Sequence, residues 1–133
     1  MKAKEIKIGD WVFFADVPVK VKDIKPKSVL LDISRFDDCM DKEGCAELGD
    51  IRPIPLTEEI LEKNGWKWDN ELWNIYYYTC GKLNAEVWQW GKEMVMKISA
   101  SAGKDVCTLA QIKYAHELQH LLWALGIDDD LKI

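Results

Sequence analysis

The sequence predicts an α+β protein, and three observations carry that prediction. Short apolar stretches broken by turn residues fill the first half, aromatic-rich alternating stretches fill the middle, and one long amphipathic pattern closes the chain. Residues 1–56 are expected to form a small β-barrel. Residues 57–133 are expected to form a short helix, an antiparallel sheet and a C-terminal helix, with the two parts making one compact unit.

In the first half, "EIKI", "WVFFA", "VKVKDI", "SVLLDIS" and "AELGDIRPI" read as a five-strand meander, punctuated by Gly9-Asp10, by Asp16 and Pro18, and by Lys25-Pro26-Lys27. Val17, Val19 and Val21 are spaced by two, as are Val29, Leu31 and Ile33, which places one apolar face on a core. Short strands at near-regular intervals suggest a barrel of the SH3-like kind. The segment "RFDDCMDKEGC" is charged and aperiodic, the expected mobile loop of this half. Lys20, Lys22, Lys25 and Lys27 read as a solvated face or a protected strand edge.

"PIPLTEEILEKNGW" predicts a short helix. Pro53 and Pro55 hold the chain extended, Thr57 caps, Glu58 and Glu59 complement the helix dipole, and Asn64-Gly65 stops it. Leu56 and Leu61 fit a hydrophobic staple. "GWKWD", "ELWNIYYYT", "AEVWQWG" and "EMVMKISA" then predict a second sheet in which Trp66 and Trp68 share a face, as do Trp88 and Trp90. With aromatics on both faces, the sheet is either covered on both sides or offers one face to a partner. In the second case Trp88, Trp90, Tyr76 and Tyr78 are the candidate contact residues. "SASAGKD" reads as the loop before the last helix and lacks the glycine and Ser/Thr of a phosphate-binding loop.

From Thr108 to Leu125 the pattern is helical, with Gly126 as the stop. Tyr114, Leu118, Leu121, Leu122 and Leu125 gather on one side; His116 and His120 fall on the other. His116-Glu117-x-x-His120 has the H-E-x-x-H spacing by which one helix face holds zinc and an intervening carboxylate polarises its water. The chain has only two histidines, so a third ligand must be a carboxylate: Asp128, Asp129 or Asp130 downstream, or Glu86 or Glu93 upstream. Trp123 and Gly126 stand where the metzincin spacing wants glycine and a ligand, which excludes that subclass. No cofactor is therefore assigned; zinc on His116 and His120, with Glu117 as base, is the alternative.

The net charge of −5 lies mostly in the second half: residues 1–56 carry 10 Lys+Arg against 11 Asp+Glu, and residues 57–133 carry 8 against 12. That balance disfavours a general nucleic-acid binder, and binding through the barrel stays a second alternative. No apolar run reaches membrane-spanning length and "MKAKEIKIGD" has no apolar stretch behind it, so a cytoplasmic protein with no membrane partner is expected. Cys39, Cys45, Cys80 and Cys107 then read as reduced thiols, with no C-x-x-C pair among them.

"IGDWV", "DIRPIPLTEEILEKNGW" and "IKYAHELQHLLWALGI" together resemble an uncharacterised family of small proteins from Bacteroides-type bacteria and their prophages and mobile elements. The resemblance spans most of the chain but not Asp69 to Lys104, and it transfers no activity. It implies relatives with Gln and Asn at the positions of Glu117 and His120, a change no zinc hydrolase tolerates, and hence a packing or interface role for this helix. The expected function is a non-enzymatic protein-binding or accessory module with an unidentified protein partner.

Overall fold

Two five-stranded antiparallel sheets and one ten-residue helix hold most of the regular structure. The computed structural model describes residues 1–36, 40–69, 75–80, 83–90, 93–100, 108–127 and 130–133, and it divides into two units, Met1–Ile54 and Pro55–Ile133. Among the described residues no helix is long and apolar enough to cross a membrane.

In the first unit, β1 (Trp11–Phe14), β2 (Val17–Ile24), β3 (Ser28–Asp32), β4 (Glu43–Glu47) and β5 (Ile51–Pro53) pair in the order β4-β3-β2-β1-β5. Among the described residues no ladder joins β4 to β5, so the hydrogen-bonded order is open. The expected strand "EIKI" is absent. Ala3–Glu5 form a 3₁₀ turn, and the following residues are pulled into a second turn where the buried Asp10 carboxylate accepts the Lys7 N–H at 2.7 Å. Gly9 takes φ 93°, a conformation that suits glycine, and its N–H donates to the Val21 carbonyl at 2.8 Å. "AELGDIRPI" is instead two strands, β4 and β5, separated by a 3₁₀ turn at Leu48–Asp50. Ala15 and Asp16, at φ 47° and 61°, form the two-residue hairpin between β1 and β2, and Asp16 pairs with Arg52 of β5.

The alternation read in β2 and β3 is the core face. Ile6, Val12, Val19, Val21, Val29, Leu31, Ala46 and Ile51 form one buried cluster, with Val17, Ile24 and Ile33 packed against it. Lys22 is the extra residue of a bulge between Val21 and Asp23, which keeps Ile24 on the core face. Of the expected mobile loop, Asp37 to Cys39 lie outside the described residues, and Glu43 to Cys45 belong to β4.

In the second unit, α1 (Glu58–Lys63) starts as the sequence predicts, with the Ile60 N–H donating to Thr57 Oγ1 at 3.3 Å. Gly65 at φ 81° ends it: its N–H bonds to the Glu62 carbonyl, and that of Trp66 to Leu61, the paired bonds of a Schellman motif. β6 (Lys67–Asp69), β7 (Ile75–Cys80), β8 (Leu83–Trp90), β9 (Glu93–Ala100) and β10 (Thr108–Ile112) then form a plain meander in the order β10-β9-β8-β7-β6.

β10 corrects the expected long helix. Thr108 to Ile112 pair with Ile98 to Met94 of β9, and α2 (Ala115–Ala124) begins only afterwards. Gly126 at φ 75° stops α2 with the same pair of backbone bonds that ends α1, from Gly126 to Trp123 and from Ile127 to Leu122. Ala115, His116, Leu118, Gln119 and Leu122 are its buried residues, so His116 lies inside and Leu121 and Leu125 are only half-buried.

Candidate functional site

The H-E-x-x-H segment is best understood from where α2 starts. Tyr114 is the residue before the helix, and its side chain makes no capping hydrogen bond. Glu117, three residues on, reaches back to the backbone at the helix entry: its Oε2 accepts the Lys113 N–H at 2.7 Å and the Tyr114 N–H at 3.2 Å. This is the reciprocal half of a capping box. The carboxylate that the zinc reading needs for a metal-bound water is engaged with the backbone.

The two imidazoles sit one turn apart, ring centres 5.6 Å and planes 73° from each other. A further ring lies beside each: Tyr114 stacks on His116 at 5.8 Å and 11°, and Trp123 lies 5.8 Å from His120 at 31°. The i, i+4 spacing that could hold a metal thus also builds a row of four rings in contact along the helix, one pair stacked, one edge-to-face and one tilted, with His116 buried and the other three half-buried. Of the carboxylates proposed as third ligand, Asp130 is exposed and Glu86 half-buried on β8; Asp128 and Asp129, and the side chain of Glu93, lie outside the described residues. Among the described residues no three His, Cys, Asp or Glu side chains come together as a metal-binding group.

The register of the second sheet separates the four aromatic candidates. Tyr76 pairs with Val87 and Tyr78 with Ala85, while Trp88 pairs with Ile75 and Trp90 with Glu93. Strand alternation puts the two tyrosine positions on one face of the sheet and the two tryptophan positions on the other, so they do not make one surface. Tyr76 is buried at 3% exposure, in the same alternation as buried Val87, Met94 and Ile112, so it is a packing residue rather than an exposed contact. The side chains of Tyr78, Trp88 and Trp90 lie outside the described residues.

What covers Tyr76 defines a different site. Burial first, and then the carboxylates of Glu58 and Glu62, which also accept its hydroxyl, push its phenol up to about 12. Glu58 and Glu62 are one turn apart on α1, which places that helix on the Tyr76 face of the sheet. Trp68, the register partner of Tyr76 on β6, stacks on it at 6.3 Å and 18°, yet keeps 52% of its surface exposed. Trp66, two residues earlier, is buried. The sequence reading put Trp66 and Trp68 on one face; that their face runs from core to rim was not legible, because it depends on β6 being the end strand.

In the first unit Lys22, Lys25 and Lys27 are exposed, whereas Lys20 is half-buried with its Nζ 5.2 Å from the ring centre of Trp11. The Arg35 guanidinium also lies over that indole, at 4.6 Å. Asp32, at the end of β3, is held below the usual carboxylate range by hydrogen bonds from Ser34 and, more weakly, by Lys22 and Arg35. The cations of this face are therefore partly engaged within the unit. Comparison with protein-family models, with curated proteins and with solved structures gives no match for the chain.

Proposed function

We propose that the chain is a non-enzymatic protein-binding module that takes hold of a partner at the β6 edge of its second sheet, with Trp68 as the anchoring side chain. The observation that carries this reading is that Trp68 is half exposed and yet supported by the buried Tyr76, its cross-strand neighbour, against which it stacks at 6.3 Å. A tryptophan already in position loses little freedom on binding, and tryptophan is enriched among the few residues that dominate interface energies. β6 ends its sheet, so its outer backbone groups face no strand among the described residues and can take up an added one.

The finer reading of the first unit is an SH3-like barrel, supported by a meander whose fifth strand returns to pair with the first. An accessory role of mobile-element or prophage type in the cytoplasm rests on the resemblance of the "DIRPIPLTEEILEKNGW" and "YAHELQHLLWALGI" segments alone.

The test is to pan the immobilised full chain against a displayed library of random peptides and to measure selected peptides on wild type and Trp68→Ala. Selected peptides should lose about 2 kcal/mol of binding on the variant. A selection in which no peptide depends on Trp68 removes the proposal.

A further inference from the structure

We propose that the segment received at the β6 edge is extended and basic, with an arginine or lysine laid on the exposed face of Trp68 and drawn there by Glu58 and Glu62. This rests on the β6-edge reading above. Glu58 and Glu62 lie one turn apart on α1, both exposed, and both act on the buried Tyr76 phenol against which Trp68 stacks. Like charges one helical turn apart repel, and a cation between them relieves that repulsion. The one basic residue of α1, Lys63, pairs instead with Glu59, at 3.9 Å.

An indole attracts a cation over its ring face, and the attraction grows as water is excluded. The first unit already shows the chemistry within the chain, where Lys20 and Arg35 lie over Trp11. Trp68 offers half its surface for the same contact, and the Tyr76 against which it stacks feels two carboxylates. The wider field agrees, since Pro55–Ile133 carries 8 Lys+Arg against 12 Asp+Glu. An extended shape follows from the strand edge, whose N–H and C=O groups pair with a partner in the same β conformation.

The experiment uses the full chain and three short peptides: one alternating Arg and Val, one with citrulline for Arg, and one with Glu for Arg. Binding is followed by fluorescence anisotropy. The Arg peptide should bind at least about tenfold more tightly than the other two, and its affinity should fall as salt rises. The doubly substituted Glu58→Gln/Glu62→Gln protein keeps acceptors for the Tyr76 hydroxyl and should bind it about tenfold more weakly. Equal binding of the citrulline peptide, lost in Trp68→Ala, overturns the basic partner and leaves the edge reading standing. Absence of Trp68-dependent binding by all three overturns both. Dimerisation in sedimentation that disappears in Trp68→Ala assigns the edge to a second copy of this chain and overturns the proposal too. Because citrulline changes only the peptide, the charge comparison holds even if the doubly substituted protein does not fold.

Discussion

Tyr76 and Glu117 show how one side chain's partners decide what a sequence pattern means. An unfolded tyrosine titrates near 10, whereas burial and the neighbouring carboxylates push Tyr76 up to about 12. The folded chain thus holds this proton more tightly than the unfolded chain does. The associated stability is complete below about pH 10 and is lost as pH rises through about 12. Ultraviolet titration should show one tyrosine ionising near 12 that disappears in Tyr76→Phe; if Tyr76 ionises with an ordinary tyrosine, it is not buried under two carboxylates. For Glu117 the expected roles separate cleanly. Glu117→Ala removes the acceptor of two backbone donors and should cost about 1 kcal/mol in urea denaturation, while Glu117→Gln, which also serves in a capping box, should cost less. Equal stability of wild type and Glu117→Ala would refute the capping role. H-E-x-x-H was legible as a pattern, but its meaning depends on whether Glu117 is the third residue of a helix or lies in mid-helix. That is set by where β10 ends.

At the level of elements, what was legible was local and what was not came from pairing. α1 could be read completely, since Thr57, the acidic first turn and Asn64-Gly65 act within one short segment. β10 could not: Leu109, Ala110 and Gln111 are good helix formers, and only five register partners on β9 hold them extended. "EIKI" failed in the opposite direction, because Asp10 binds the Lys7 N–H and folds an apolar alternation into a turn. The β1–β2 hairpin carries a local cost that pairing overrides. Ala15 takes φ 47°, in the left-handed region where an L-residue with a Cβ is strained by about 1 kcal/mol. Asn accepts that conformation and suits the first position of such a turn, so Ala15→Asn should stabilise the protein by about 0.5–1 kcal/mol, read as a higher urea midpoint with an unchanged slope. Asp16 is left in place because it pairs with Arg52. A lower midpoint would mean that the turn is not strained as described.

For the whole molecule, the composition and the order of strand-like segments foretold an α+β chain with mostly antiparallel strands and a terminal helix, but not how the chain's aromatics divide between core and surface. Tyr76 and Tyr77 are neighbours in an unbroken aromatic run, yet one is 3% and the other 40% exposed, because only the register with β8 says which of them faces α1. The first unit is simpler, since its alternating aliphatics have one core to fill and every residue of that cluster lies between Ile6 and Ile51. A unit of this size stands on only about 3–5 kcal/mol. Leu31 is fully buried at its centre, and Leu31→Ala removes about 2–5 kcal/mol, comparable with the whole of that stability. In two-dimensional amide spectra of the full chain, the variant should lose the dispersed signals of Met1–Ile54 while those of Pro55–Ile133 persist. Simultaneous collapse of both sets would show that the two units unfold as one cooperative body. Intact signals throughout would show that the first core tolerates a cavity at Leu31, and hence that its stability rests on more than the eight residues of its buried cluster.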